Sequence, residues 1–263
     1  MKKFLSSGLK LLGVWGFWLL VWILVSLKVN STLLLPSPIQ VFRTFGSMLV
    51  TAVFWKNLLL SLLRVFGGIL LSLLVGTLLA ILTSVSSIAR ALLTPPINAM
   101  KSVPVACFIV LVFLWMNTAT IPILITSLIV IPIVWSNVSQ GIASTDRSLR
   151  EVATAYGFSP MKKCTALYIP TVLPYFLAAC RSALGMAWKA EIAAEVLAPP
   201  LLTGGIGLGI YFAKTNFESA ELFAWTLVIV LISYAMEKLL LFALEKLAHS
   251  LHLSEGGTSH VKT

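Results

Sequence analysis

Residues 58–82 read LLLSLLRVFGGILLSLLVGTLLAIL, an apolar run interrupted by one charge, Arg64. A run of that length matches what a helix needs to cross the roughly 30 Å hydrocarbon layer of a bilayer. Within it Gly68, Ser72, Gly76 and Ala80 recur at every fourth position, which places them on one stripe of a helix. Lipid gives apolar helices no hydrophobic reason to associate, so small residues that let two backbones approach are a packing signal rather than a substrate signal.

The whole chain has the same character. It is 59% hydrophobic and 11% charged, against about 45–50% and about 25% for a soluble domain, so an all-α, multi-pass membrane protein is expected. The net charge of +10 would suggest a nucleic-acid partner in a soluble protein. Here the basic residues gather in short loops and at the ends, where they orient a membrane protein, and no nucleic acid is implied. Cys107, Cys164 and Cys180 are odd in number and lack paired or metal-like spacing, so they read as ordinary helix residues. His249, His252 and His260 fall in a polar end that reads as frayed rather than as a metal site.

Six spans emerge along the chain. The run Leu11–Leu27 follows Lys2, Lys3 and Lys10; it is Trp-rich, longer than a leader's apolar core and has no A-x-A-like site after it, so it reads as a first transmembrane helix. Pro36 and Pro38 then break the chain, and Val41, Phe45, Met48, Leu49 and Ala52 recur at helical spacing, predicting an amphipathic helix on the outer face. Further spans are expected at Leu58–Leu82, Ile97–Trp115, Thr120–Ser139, Ile169–Leu197 and Ala220–Leu244, with Pro95, Pro96 and Pro104 disturbing the third. The run Gly204–Gly209 reads as a flexible outer loop. The chain thus divides into 1–57 (first span and outer helix), 58–250 (a five-span core holding the polar loop 141–168) and a disordered tail, 251–263.

Charge orients this layout. With the N-terminus inside, Lys2, Lys3, Lys10, Arg90, Arg147, Arg150, Lys162, Lys163, Lys246 and Lys262 are cytoplasmic, and only Lys28, Arg43, Lys56 and Lys214 fall outside. Both termini and the loop 141–168 are therefore expected in the cytoplasm.

No phosphate-cradling G-x-x-x-x-G-K-[ST] occurs and no carboxylate, His or Cys cluster has catalytic or zinc-like spacing, so no enzyme activity, metal or cofactor is expected in this chain. Ionisable residues inside spans are functional candidates. In the fifth span Arg181, Trp188 and Glu195 share one helix face, with Lys189 and Glu191 about 80° to either side. That face either lines a translocation path or forms a buried ion pair, and the sequence leaves both readings open. Arg64 is a weaker candidate, expected to snorkel outward, and Lys101 is expected near the cytoplasmic surface. Asn117 and Asn137 read as helix-end or interhelical hydrogen bonders.

The cytoplasmic loop reads EVATAYGFSPMKKCTALYIP from Glu151 to Pro170. It resembles the EAA loop of binding-protein-dependent ABC importer permeases: Glu151, Val152 and Ala153 fill the first positions, Gly157 the Gly position, and Leu167, Ile169 and Pro170 the last. Val152 departs from the family's first Ala. The residues allow a helix over 145–156, a turn at Gly157 and a second helix over 160–168 before Pro170 and Pro174. The resemblance implies that these are coupling helices seated on an ATPase, with Glu151 as polar anchor and Ala153, Ala155 and Gly157 small enough for close packing.

Stretches such as SLLRVFGGILLSLLVG and LPYFLAACRSALGMAWKAEIAAEVLA look like the nitrate, taurine, aliphatic sulfonate and pyrimidine-precursor permease group. That resemblance implies a type I ABC importer permease fold in the bacterial inner membrane and a permease homodimer. It also implies an ATPase dimer holding ATP and Mg, and an extracytoplasmic binding protein that delivers a small solute. An ion-coupled secondary transporter using Glu191 and Glu195 is the competing reading, and a membrane scaffold a third. The EAA-like loop and the absence of an inverted repeat favour the permease.

Overall fold

In hydrocarbon every backbone N–H and C=O must be satisfied within the chain, and long helices do this segment by segment. The computed structural model describes residues 2–250, and its regular structure there is helical: α1 (Lys2–Val29), α2 (Pro38–Leu49), α3 (Ala52–Val85), α4 (Ser87–Ser102), α5 (Val105–Phe113), α6 (Ile121–Ala143), α7 (Arg147–Ala155), α8 (Pro160–Lys163), a π-helical turn (Cys164–Tyr168), α9 (Ile169–Leu197), α10 (Ile206–Thr215) and α11 (Ser219–Ser250). The tail 251–263, with His252, His260 and Lys262, lies outside the described residues.

Among the described residues four helices are long and apolar enough to cross a membrane: Ala52–Val85, Ile121–Ala143, Pro160–Leu197 and the first part of α11, Ser219–Leu239. The pair α4 and α5 qualifies together as a broken span, and α1 carries a shorter apolar stretch, Gly13–Val29. The expected third span, Ile97–Trp115, is therefore corrected: the chain bends by 104° between α4 and α5. The cause is Pro104, which forces Val103 out of the helical region to φ −83°, ψ 131° and itself donates no hydrogen bond. Pro95 and Pro96 are carried within α4.

Helix α6 lies between α3 and α9 and packs extensively against both. The small-residue stripe makes the first of these contacts possible. Gly68, Ser72, Gly76 and Ala80 are all buried, while Leu63, Leu70, Leu74 and Leu78 on the same helix are exposed, as a lipid-facing surface requires. A Cβ on Gly68 would stand 2.7 Å from Thr126 Cβ, and one on Gly76 would stand 2.8 Å from Val134 Cβ.

Helix α2 starts at a capping box in which the Ser37 hydroxyl accepts from Gln40 N–H and the Gln40 side chain accepts from Ser37 N–H. It buries Val41 and Met48 and leaves Ile39 exposed, the pattern of a helix lying on a surface. It packs chiefly against α11. Helix α1 is tied in nearby, through Trp22 against Phe223 and the Trp22 indole N–H donating to Pro36 O at 3.1 Å.

The α3–α6 contact yields a first prediction. Gly76→Leu should lower stability in detergent by about 1–3 kcal/mol through overpacking, whereas Gly67→Ala, whose Cβ would meet nothing within 4 Å, should be near neutral. Thermal unfolding of the purified variants checks this, and equal melting of both would refute the packing assignment.

Candidate functional site: the exposed helical loop and the charged cluster of the fifth span

The polar loop folds as a knob on the bundle. Asp146 caps α7, accepting from Ser148 N–H at 2.8 Å and from the Ser148 hydroxyl at 2.6 Å; these bonds to Ser148 hold its carboxyl below the usual carboxylate range. Arg147 Nε donates to Glu151 Oε1 at 2.9 Å, one turn along the exposed face.

The helix ends in a paired cap. Gly157 N–H donates to Thr154 O at 3.0 Å and Phe158 N–H to Ala153 O at 2.9 Å, with Gly157 at φ +65°, a conformation glycine adopts without a Cβ penalty. Lys163 Nζ then donates to Thr154 Oγ1 at 3.0 Å, and Lys162 lies over the Phe158 ring at 4.2 Å, so the second leg folds back against the first.

Glu151, Val152, Ala155 and Gly157 are exposed and Leu167 is half-buried; Ile169 and Pro170 lie exposed where α9 begins. Ala153 is 5% exposed and packs within the protein itself. The second leg differs from the expected one. Instead of a separate helix over 160–168, residues 160–197 run as one 38-residue apolar helix. The π-helical turn makes this continuity possible. Its i→i−5 bond, Ile169 N–H to Cys164 O, widens the backbone just before Pro170, where an ordinary turn would clash with the proline ring.

In the fifth span the expected single charged face divides. Arg181 and Lys189 are exposed, Trp188 is 2% exposed, and Glu191 and Glu195 are fully buried. Glu195 pairs with Arg64, not with Arg181 or Lys189. Arg64 does not snorkel outward as expected; it is buried, and it also donates to Gly204 O and Thr203 Oγ1, each at 2.7 Å. Glu195 accepts further from the Ser61 hydroxyl at 2.7 Å and from Gly207 N–H at 2.9 Å. Glu191, one turn earlier, has no hydrogen-bond partner for either oxygen among the described residues.

The same cluster caps α10. Gly205 N–H donates to Asn57 Oδ1 at 3.1 Å, Ile206 N–H to Ser61 Oγ at 2.8 Å, and Gly207 N–H to Glu195, so side chains of α3 and α9 take up N–H groups that the start of a helix leaves free. The carboxylate also stands where the helix dipole favours negative charge. Gly204–Gly209 is thus corrected from a flexible outer loop to a buried element. At Gly205, φ +146°, a Cβ would collide with the Glu195 carboxylate, and at Gly209 it would collide with the Trp225 ring.

The sequence pattern alone does not pair Arg64, Asn57 or Ser61 with Glu195. The signal in the sequence was Arg64 itself, the lone charge between Lys56 and Arg90, because a buried guanidinium demands a carboxylate. Asn117 behaves as a helix-end group, accepting from Ala119 N–H at 2.9 Å; Asn137 bonds within its own helix, to Ile133 O at 2.8 Å. Lys101 lies 5.2 Å from the centre of the Trp135 ring.

Arg64→Met would strand a buried carboxylate and should cost about 3–5 kcal/mol in thermal unfolding, with much of the loss recovered by Arg64→Met combined with Glu195→Met. Equal stability of the single variant and the parent would show that the pair carries no load.

Residues 68–247 match the family described as binding-protein-dependent transport system inner membrane component. An aliphatic sulfonates transport permease protein of Bacillus subtilis is 26% identical over 81% of this chain and 76% of its own length. The taurine transport system permease protein of Escherichia coli is 27% identical over 86% of this chain and 82% of its own. Among solved structures, a bacterial alginate ABC transporter in complex with an alginate pentasaccharide-bound periplasmic protein superimposes with a TM-score of 0.63 at 14% identity, covering 95% of this chain and 96% of that one. An amino acid ABC transporter superimposes with a TM-score of 0.60 at 16% identity, covering 78% of this chain and 98% of that one.

Proposed function

The chain belongs to the binding-protein-dependent transport system inner membrane components and is the permease of an ABC importer; from that premise we propose that residues 147–168 are its coupling element. They seat on an ATPase dimer that binds ATP and Mg, and α9 carries the motion into the membrane. The observation that carries this reading is the continuity of 160–197: a force on the exposed knob acts directly on the helix that holds Arg181, Trp188 and Glu195. Glu151, Val152, Ala155 and Gly157 supply the exposed contact surface. Leu167, Ile169 and Pro170 form the joint to the span.

The protein sits in the bacterial inner membrane with both termini and the knob in the cytoplasm, and the broken α4–α5 pair and α1 complete six spans. Two copies form the path, and an extracytoplasmic binding protein delivers a small solute of the sulfonate, taurine, nitrate or pyrimidine-precursor type. The kinship with sulfonate and taurine permeases supports the sulfonate and taurine part of that range. The path lies beside the exposed side of α9, where Arg181 and Lys189 stand; Trp188 forms its wall, Glu191 lies buried behind it, and Glu195, bound to Arg64 and Gly207, holds the span in place. The secondary-transporter reading loses its proton carrier at Glu195, which is engaged by Arg64, Ser61 and Gly207.

Gly157→Val puts a β-branched residue at φ +65°, a conformation such residues resist. The variant should insert normally yet lose ATP-driven uptake by about tenfold or more, an effect of about 1.4 kcal/mol on coupling. Uptake at the parental rate in proteoliposomes, with the ATPase still bound, would refute the assignment.

A further inference from the structure

Between α9 and α11 lies a cavity of about 370 Å³ whose walls include Arg181, Gly185, Trp188, Ser233, Met236 and Glu237. Arg181 stands twelve residues into α9, roughly 18 Å from its start. A charge at such depth faces protein, water or a ligand rather than lipid. Arg181 and Glu237 line the same space yet are not paired: the ion pairs among the described residues are Arg64 with Glu195 and Arg147 with Glu151. The indole N–H of Trp188, in the wall, has no acceptor among the described residues. A Cβ on Gly185 would meet nothing within 4 Å, so this position borders open space.

An unpaired guanidinium and an unpaired carboxylate around one cavity favour a molecule that carries both complementary charges. We propose that this cavity is a solute site within the permease itself and that it takes a small zwitterion, an inference that rests on the permease reading above. The anionic head, sulfonate or carboxylate, meets the planar fork of Arg181, which suits such oxygens bidentately. The ammonium group lies at Glu237, and the Trp188 ring offers a cation a favourable face. Lys189 does not line the cavity, so a solute with only a negative charge gains Arg181 but meets Glu237 unneutralised. The site therefore discriminates by the second charge of the solute and adds a selection step after delivery.

The test uses the permease assembled with its ATPase in lipid nanodiscs without binding protein. Equilibrium binding is measured for short ω-amino sulfonates and ω-amino carboxylates, and for counterparts lacking either the amine or the acid. The zwitterions should bind saturably and more tightly than either counterpart. Arg181→Gln should weaken them about tenfold or more, and Glu237→Gln should abolish the preference for a zwitterion over the matching anion. Gly185→Leu, which fills the cavity without altering its charge, should also remove binding, and co-purification of the ATPase with each variant shows that it is folded and assembled. Absence of saturable binding, equal binding of the singly charged counterparts, or indifference to all three variants overturns the site while the permease reading stands. A parent chain that recruits no ATPase overturns both.

Discussion

The ion pair between Arg64 and Glu195 is the constraint around which the rest of the bundle is arranged. Each charge taken alone into a dry interior costs several kcal/mol, so neither is tolerable without the other and without hydrogen bonds to its remaining atoms. Those bonds come from three directions: Ser61 on α3, Thr203 and Gly204 in the turn after α9, and Gly207 in α10. One cluster therefore fixes where α3 crosses α9 and where the chain turns back into the bundle. The glycines follow from this. Gly205 and Gly207 lie so close to Glu195 that a side chain at either position would displace it.

From that fixed end the other features acquire roles. The core of α3, α6 and α9 is held by small residues along α3 and by the buried Val130, Val134 and Val138 of α6. The opposite end of α9 carries no comparable anchor: residues 160–163 and the π-helical turn contain no buried position, and the knob is braced by bonds of its own, such as Lys163 to Thr154. A helix clamped at one end and free at the other is suited to pass on a displacement, provided it does not bend between. The π-helical turn and Pro174, inside α9, are irregularities in that rod.

The sequence was informative wherever a single local rule governed the outcome. Apolar run length located the long helices α3, α6, α9 and α11, the four-residue stripe located the α3–α6 contact, and Gly157 with its flanking polar residues located the bend. It was misleading where two rules competed. Pro104 and Pro170 are both helix breakers by rule, yet the first bends the chain by 104° and the second is absorbed by a widened turn. Which occurs depends on neighbours the local pattern does not encode. The charged cluster was half legible: Glu195 was recognised as unfit to face lipid, but its partner lies 131 positions away on another helix. Gly204–Gly209 read as flexible because glycine is permissive, whereas here it serves close approach.

In the proposed coupling, residues 160–197 move as one rod, driven at the knob and held at Glu195. Spin labels at Met161 and Leu197, on a background lacking Cys107, Cys164 and Cys180, would be roughly 54 Å apart along an unbroken helix. Their separation, measured in the assembled transporter with and without ATP, should stay constant while the Met161 label moves relative to one on α6. A separation that changes with nucleotide would mean that the helix bends between Met161 and Leu197, so that it does not act as one rod.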